Sequence, residues 1–256
     1  MLPSPRLTLV LGAAALAAAL AAPAPARADA RRFAWSYEST TAPKGTREFE
    51  QWVTWSTTKP SDPLYDRVEF RHELEFGLTD RVQLGVYLTD WRYTRTSNGS
   101  DTEVRSTAAE IIANVADPAT SPVGVALYGE VAVGAEKFAL EAKLLLEKPL
   151  GPVVLVSNTV LEAEWEGEDW VEDVGTFEQT VGLGWDMSPS LLLGVEGQLE
   201  KELPGWKGGE PTIVWAGPSA SLRLPAFWVT AATLLQTTGE GGEPDVKVRT
   251  LFGFDF

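Results

Sequence analysis

The feature of this sequence that most constrains its fold is a strict alternation of apolar and charged residues with a period of two. In DRVEFRHELEFGL (66–78), the apolar side chains from Val68 to Leu78 share one parity with His72, and the charged side chains from Arg67 to Glu75 occupy the other. Because successive side chains of a β-strand point to opposite faces, such a strand has one apolar face and one charged face. The pattern recurs in RVQLGVYL (81–88), KFALEAKLLLEK (137–148) and DVKVRTLFGFDF (245–256), and helical spacing fits none of these stretches well.

Turn signals separate these stretches and alternate between tight and loose. Tight connections such as LTDR (78–81) and KPLGP (148–152) alternate with longer polar ones such as TKPSDPLYD (58–66) and RTSNGSDTE (95–103). This arrangement is typical of bacterial outer-membrane barrels and predicts an all-β fold, a single transmembrane antiparallel up-and-down β-barrel. The roughly twelve predicted strands cover 47–57, 66–78, 81–94, 103–115, 122–135, 138–148, 152–164, 174–187, 190–201, 211–224, 226–237 and 245–256. A secreted β-sandwich is the alternative fold.

The N-terminus has the pattern of a secretory signal peptide. Arg6 precedes an apolar stretch (7–22), and small residues at Ala-x-Ala spacing follow it. We expect a signal peptide over 1–28 with cleavage after Ala28 or Ala30, an N-terminal segment over 29–46 and a barrel over 47–256; a membrane anchor is the alternative for 7–22. RFAWSYES (32–39) also alternates, and it is either a short extra strand or a periplasmic extension.

Composition excludes several classes of protein. Past the first thirty residues no uninterrupted apolar run approaches the ~20 residues that a spanning helix needs. The chain has no cysteine, which excludes disulfides and thiol chemistry. Its formal net charge is −15, and loss of 1–28 removes two arginines and no acid, which leaves −17. We therefore expect no nucleic-acid partner. The partners expected of an outer-membrane protein are membrane lipid and lipopolysaccharide, the barrel-assembly machinery and small solutes.

The charged face of each strand is predicted to line the barrel interior, because the apolar face must meet lipid. The candidate pore-lining residues are Glu48, Glu50, Arg67, Glu69, Arg71, Glu73, Glu75, Glu141, Lys143, Glu162, Glu196, Lys247 and Arg249. Acids dominate the inward parity, which favours a narrow porin-like channel or transporter for small solutes with an acidic, cation-preferring lumen. The alternative is a closed structural or adhesive barrel whose charges pair into a network that fills the lumen.

We predict no enzymatic activity and no cofactor. Barrel lipid hydrolases, the remaining alternative, need a serine nucleophile beside a histidine base. His72 is the only histidine of the sequence, it shares parity with apolar residues, and no serine stands within two residues of it.

Two further stretches carry specific expectations. In LFGFDF (251–256), Phe252, Phe254 and Phe256 share one parity; we expect them on the lipid face, and they resemble the membrane-insertion signal that the barrel-assembly machinery recognises. The stretch EAEWEGEDWVED (162–173) is acidic, and its carboxylates suit Ca²⁺ or Mg²⁺. These weak metal candidates are Glu166, Glu168, Asp169, Glu172 and Asp173. A solvated loop without a metal is the main prediction.

PKGTREFEQWVTWST (43–57) and ELEFGLTDRVQLGVYL (73–88) carry a family resemblance. They resemble an uncharacterised family of Gram-negative outer-membrane β-barrels, a domain of unknown function. In that family a Pro-Lys-Gly turn precedes an acidic strand containing Gln-Trp, and a Gly-x-Thr-Asp-Arg hairpin joins the next two strands. The hairpin is also similar to that of phenol-degradation-pathway transporter-like barrels. The resemblance implies an outer-membrane location and a barrel, and it implies no catalytic residue.

Overall fold

The computed structural model describes residues 30–167 and 172–256, so the predicted signal peptide lies outside the described residues. Within these ranges the chain forms twelve strands. They are β1 (Arg47–Lys59), β2 (Asp62–Thr79), β3 (Val82–Thr96), β4 (Gly99–Ala116), β5 (Gly124–Val133), β6 (Lys137–Leu150), β7 (Val153–Glu166), β8 (Glu172–Ser188), β9 (Leu191–Pro204), β10 (Ile213–Arg223), β11 (Trp228–Gln236) and β12 (Val246–Asp255). No helix in the described part of the chain is long and apolar enough to cross a membrane.

The sheet closes on itself. Each strand pairs antiparallel with its neighbours in the chain, and β1 pairs with β12 over a register that runs from Glu48 opposite Asp255 to Thr57 opposite Val246. Closure removes the free edges that an open sheet would expose. The prediction of an all-β, single up-and-down barrel of about twelve strands is therefore confirmed.

The two ends of the barrel differ in their connections. One end, called the terminal end below, carries the connections that the sequence predicts to be tight, together with both ends of the barrel sequence. There the amide of Phe256 donates to the carbonyl of Arg47 at 3.0 Å. The opposite end, called the hairpin end, carries the connections from β1 to β2, β3 to β4, β5 to β6, β7 to β8, β9 to β10 and β11 to β12. Two of these are shorter than predicted, because β2 begins at Asp62 and β4 at Gly99. The long loops predicted over 58–66 and 95–103 are wrong, since their polar residues continue the backbone ladder and leave two-residue turns.

Large apolar side chains cover the outside of the barrel wall. Exposed members of this surface are Leu88, Ile111, Leu127, Leu140, Leu144, Leu155, Leu161, Leu183, Leu193 and Leu235. Aromatic side chains of neighbouring strands also pair, and the rings of Phe70 and Trp91 stack with centroids 4.1 Å apart. Phe254 and Phe256 are exposed at the terminal end. An apolar surface of this extent suits contact with acyl chains.

Residues 30–46 contain no strand, and residues 30–42 lie inside the barrel. Phe33, Ala34 and Ser36 are fully buried. The two readings of residues 32–39, an extra strand or a periplasmic extension, are therefore both wrong. A closed barrel offers no edge to which a further strand can pair, and the segment instead satisfies its backbone through side chains of the barrel interior. We call residues 30–42 the plug.

The two stretches that carry the family resemblance meet where the plug joins the barrel. The amide of Gly45 donates to the carbonyl of Gly77 at 2.8 Å, and the amide of Gly77 donates to the carbonyl of Thr46 at 3.1 Å. A Cβ at residue 77 would lie 1.9 Å from the carbonyl oxygen of Pro43. Only glycine permits this approach. The Pro-Lys-Gly turn is thereby fixed against the hairpin of β2 and β3.

Candidate functional site in the plugged lumen

One lumen glutamate holds the centre of the plug. The carboxylate of Glu196, on β9, accepts three consecutive backbone hydrogen bonds, from Ala34 at 2.9 Å, from Trp35 at 2.7 Å and from Ser36 at 3.1 Å. Glu196 is buried. Hydrogen bonds to an ionised acceptor are the stronger kind, so this carboxylate is the main anchor of the segment.

Other lumen side chains replace the strand partner that the plug lacks. Asn158 accepts from the amide of Tyr37 at 2.6 Å and donates to its carbonyl at 3.0 Å, as a neighbouring strand would. Glu147 accepts from both the amide and the hydroxyl of Ser39 at 3.0 Å. These side chains, with Glu196, lie within six residues of the terminal end of their strands. The plug therefore occupies the terminal half of the lumen.

The plug folds back on itself between Arg32 and Glu38. The amide of Arg32 donates to the carboxylate of Glu38 at 2.9 Å. Burial raises the pKa of Glu38 to about 7, although the positive charge of Arg32 opposes that shift. The guanidinium of Arg31 lies 3.6 Å above the ring of Tyr37 and 4.0 Å from the carboxylate of Glu50 on β1. The fold-back thus places a buried cation beside the acidic wall of β1.

A glycine on the barrel wall makes room for the largest apolar side chain of the plug. A Cβ at residue 182 would lie 2.7 Å from Cδ1 of Phe33 and 2.8 Å from Cγ2 of Val156. Phe33 packs with Val154, Val156 and Leu192, which are all buried. The wall at β8 is therefore shaped for the aromatic ring of the plug.

The hairpin half of the lumen stays open above the plug. It contains a cavity of about 260 Å³ and a second of about 450 Å³, and these share lining residues that include Trp35 and Arg249. The guanidinium of Arg249 lies 3.7 Å above the Trp35 ring. We call the space formed by these two cavities the vestibule. Trp35 belongs to the plug, so the plug forms the floor of the vestibule. The vestibule is the space in which a solute from the hairpin side would first be held.

The charges of the vestibule are balanced. Nine acidic and nine basic side chains line the two cavities. Many form ion pairs, such as Arg71 with Asp90 at 2.8 Å and Lys143 with Glu141 at 2.9 Å. The paired polar network considered from the sequence therefore exists in this half, although it leaves cavities and does not fill the lumen.

A row of glutamates winds around the barrel on the lumen face. Across neighbouring strands, Glu48 faces Glu75, Glu75 faces Gly85, and Gly85 faces Glu110. The row continues through Glu130, Glu141, Glu162, Thr176 and Glu202. It starts at the terminal end of β1 and reaches the hairpin end of β9, because the strands are tilted. We call this series of register partners the acidic row.

The acid excess is concentrated under the plug. Seven buried lumen glutamates lie in the terminal half: Glu48, Glu50, Glu73, Glu75, Glu110, Glu147 and Glu196. The plug itself contributes two arginines and one glutamate. The balanced vestibule and the acidic terminal half are thus two different electrostatic environments along one lumen.

The structure places all thirteen candidate pore-lining residues on the lumen face, but it divides them between these two environments. Glu48, Glu50, Glu73, Glu75 and Glu196 are sealed under the plug, and the others lie in or beside the vestibule. Whether they line a conducting pore stays a prediction. The sequence does not predict two features of this site. One is Glu110 as a lumen residue, and the other is that residues 30–42 occupy the lumen. Parity gives a signal for Glu110, but the residues next to it, AA (108–109) and IIA (111–113), are apolar on both faces.

The remaining candidates lie elsewhere. Glu166 pairs with Arg105 at 3.3 Å at the hairpin end. Glu168 and Asp169 lie outside the described residues, as does the side chain of Glu172, and Asp173 is exposed. His72 lies opposite Gln51 on the outward face. No described residue of the acidic stretch 162–173 contacts His72.

Comparison with known proteins gives a family. A family model described as a family of unknown function (DUF6662) matches residues 25–250. The chain belongs to this family. The predicted membership of an uncharacterised family is thereby confirmed, and the similarity to phenol-degradation transporters stays a prediction. None of the curated proteins matches the chain.

Solved outer-membrane barrels share the fold of this DUF6662 protein. The KdgM porin in complex with disordered oligogalacturonate has a TM-score of 0.51 at 8% identity, over 82% of this chain and 99% of that chain. The NanC porin has a TM-score of 0.51 at 6% identity, over 81% and 98%. The translocator domain of the autotransporter NalP from Neisseria meningitidis has 0.52 at 13%, over 83% and 89%. At such identities the likeness shows the fold alone.

Proposed function

We propose that this protein is an outer-membrane channel for small polar solutes whose passage is closed by its own plug. The observation that carries the proposal is the vestibule: a charged cavity faces the hairpin end and stops at Trp35 of the plug. A lumen filled by fixed wall side chains would leave no such space. Transport therefore requires that the plug moves or leaves its seat.

Porins among the solved barrels of this fold support a transport role, and the outward apolar surface supports residence in the outer membrane. Catalysis is a weaker candidate, because His72 faces outward and away from the lumen carboxylates.

Cation preference belongs to the open state in this proposal. When the plug leaves, Arg31 and Arg32 leave with it, whereas the seven glutamates of the terminal half stay on the barrel wall. An acid-lined constriction attracts cations and repels anions. The vestibule, with equal numbers of acids and bases, contributes little to this discrimination.

Planar-bilayer recording tests the proposal. The refolded chain beginning at Ala30 is compared with a variant that lacks residues 30–42. We expect the intact chain to be closed with at most brief openings and the deletion variant to conduct steadily. In a KCl gradient, the reversal potential of the variant should show cation preference. Altered gel mobility after heating, in both proteins, verifies that each forms a folded barrel.

Two results contradict the proposal. If the folded deletion variant does not conduct, the barrel has a structural role. If it conducts with anion preference, the terminal glutamates do not control permeation.

A further inference from the structure

Five glutamates form one buried cluster in the lumen wall beneath the plug. Glu48 and Glu50 lie on β1, Glu73 and Glu75 on β2, and Glu110 on β4, with exposures of 0 to 2%. In the strand register Glu48 faces Glu75 and Glu50 faces Glu73. Like charges directly opposite one another destabilise a sheet unless something compensates them.

The carboxylates converge within the coordination range of one ion. Among the described residues, one oxygen from each of Glu73, Glu75 and Glu110 lies within 4.8 Å of the others, and Glu48, Glu50 and Glu75 form a second such group. Glu75 belongs to both groups. The cluster is therefore continuous.

Neutral donors fix part of the cluster. Trp228 donates to Glu48 at 2.7 Å, and Tyr87 donates to Oε2 of Glu110 at 2.6 Å. These hydrogen bonds orient the carboxylates without neutralising them. Arg31 of the plug lies 4.0 Å from Glu50 and supplies positive charge on the β1 side.

Glu73 points to a ligand on the opposite side of the cluster. Its side chain is fully buried, and neither of its oxygens accepts a hydrogen bond from any residue of the described ranges. Oε1 of Glu110 is in the same situation. An uncompensated buried carboxylate costs several kcal/mol, so these oxygens require a cation or a proton.

The backbone leaves space for this convergence. Gly85 stands between Glu75 and Glu110 in the strand register. A Cβ at residue 85 would lie 2.3 Å from Oε1 of Glu73 and 2.5 Å from Cγ of Glu110. Any other residue here would push the two carboxylates apart. The wall is thus shaped so that both carboxylates occupy one space.

We propose that Glu73, Glu75 and Glu110 bind a hard divalent cation of the Ca²⁺ class. Several carboxylate oxygens around one point are the ligands that such ions prefer. The plug covers the cluster, so the ion enters before the plug seats and exchanges slowly afterwards. This site is independent of transport, because an ion bound beneath the plug also fits a barrel that never opens.

Metal content after refolding tests the site. The chain is refolded in a nonionic detergent without lipopolysaccharide, in Ca²⁺ or in EDTA, and desalted into chelator-free buffer. Mass spectrometry should find about one Ca²⁺ per chain after refolding in Ca²⁺. The Ca²⁺-refolded protein should unfold at a higher temperature than the EDTA-refolded protein. Both effects should be lost in Glu73→Gln and kept in Glu166→Gln, which removes a carboxylate from the rival acidic loop.

Terbium luminescence gives a second readout that needs no stable glutamate variant. Trp52 donates to Glu50 at 2.7 Å, so its indole lies beside the cluster and can sensitise bound Tb³⁺. We expect sensitised emission from wild type refolded in Tb³⁺, suppressed by excess Ca²⁺ during refolding. The emission should weaken in Trp52→Phe without disappearing, because Trp228 beside Glu48 and Tyr87 beside Glu110 remain as sensitisers. Glu110→Gln provides the second ligand variant if Glu73→Gln does not fold.

Three results would overturn the site. The first is that wild type refolded in Ca²⁺ holds no ion and unfolds at the same temperature as in EDTA, which would mean that the carboxylates share protons instead. The second is that the folded Glu73→Gln and Glu110→Gln variants retain as much Ca²⁺ as wild type. The third is that Glu166→Gln loses the ion, which would assign it to the loop at the hairpin end.

Discussion

At the scale of single residues, Glu196 decides whether the plug stays seated. Its carboxylate accepts from three successive amides, and two of these donors share Oε2. In Glu196→Gln one oxygen becomes an amide nitrogen, which cannot accept hydrogen bonds. We expect the seated plug to lose about 2 kcal/mol relative to the unseated state. Channel openings in planar bilayers should therefore become more frequent.

Glu200→Gln is the matched control, since Glu200 lies on the same strand and the same face but contacts Lys247 at 3.7 Å and not the plug. Equal opening frequencies in the two variants would show that loss of lumen charge, not loss of the plug anchor, is responsible.

The wall glycine that receives Phe33 provides a second single-residue prediction. In Gly182→Ala the new methyl group meets the Phe33 ring at 2.7 Å. Overpacking of this kind costs about 1–3 kcal/mol. Thermal unfolding should show a lower midpoint for Gly182→Ala than for Gly129→Ala, whose Cβ meets nothing within 4 Å. Removal of the plug should reduce the difference. A difference of the same size without the plug would assign the strain to Val156 of the wall.

At the scale of elements, the sequence predicts the strands well and the plug poorly, for one physical reason. The face of each strand follows from neighbours two residues away, so the lumen position of Glu73 or Lys143 can be predicted locally. The plug is defined by partners distant in sequence: Ala34 and Glu196 are 162 residues apart. The same alternation in 32–39 that resembles a strand instead places Phe33 in one apolar cluster of the lumen and Trp35 and Tyr37 in another.

The plug can be locked as an element, because the chain contains no native cysteine. A Cβ at residue 124 would lie 2.2 Å from Oγ of Ser39, which is within reach of a disulfide after a small adjustment. In the Glu196→Gln background, oxidised Ser39→Cys/Gly124→Cys should close the channel, and a reductant should reopen it.

Either cysteine alone should leave the openings of Glu196→Gln insensitive to the reductant. Undiminished conductance in the oxidised pair, with the disulfide verified by mass spectrometry, would show that ions pass without movement of the plug.

At the scale of the whole molecule, closure and tilt of the barrel create the acidic row. The sequence shows its glutamates as isolated members of separate strands. Only the register shows that Glu110, Glu130 and Glu141 are direct neighbours across β4, β5 and β6. Glu110 was missed at the sequence level because Ile112, of the same parity, is a buried apolar residue of the lumen. Register depends on contacts between strands, which no single strand encodes.

The acidic row should set the ion preference of the open barrel. In the variant that lacks residues 30–42, recorded in EDTA so that no divalent cation occupies the cluster, Glu75→Gln together with Glu110→Gln removes two charges of the acidic row without a large change in volume. We expect the ratio of cation to anion permeability to fall, since the potential that excludes anions weakens. Reversal potentials in KCl gradients measure the ratio. The effect should be larger at 0.1 M than at 1 M salt, where the Debye length shrinks from about 10 Å to about 3 Å.

Glu136→Gln is the control for this experiment, because Glu136 is exposed in a turn at the hairpin end and loses one charge outside the lumen. It should leave the permeability ratio unchanged. If Glu136→Gln lowers the ratio as much as the double substitution does, the preference arises from the net charge of the molecule and not from the row. The permeability ratio should therefore depend on where the charges lie within the closed barrel, and not on how many the molecule carries.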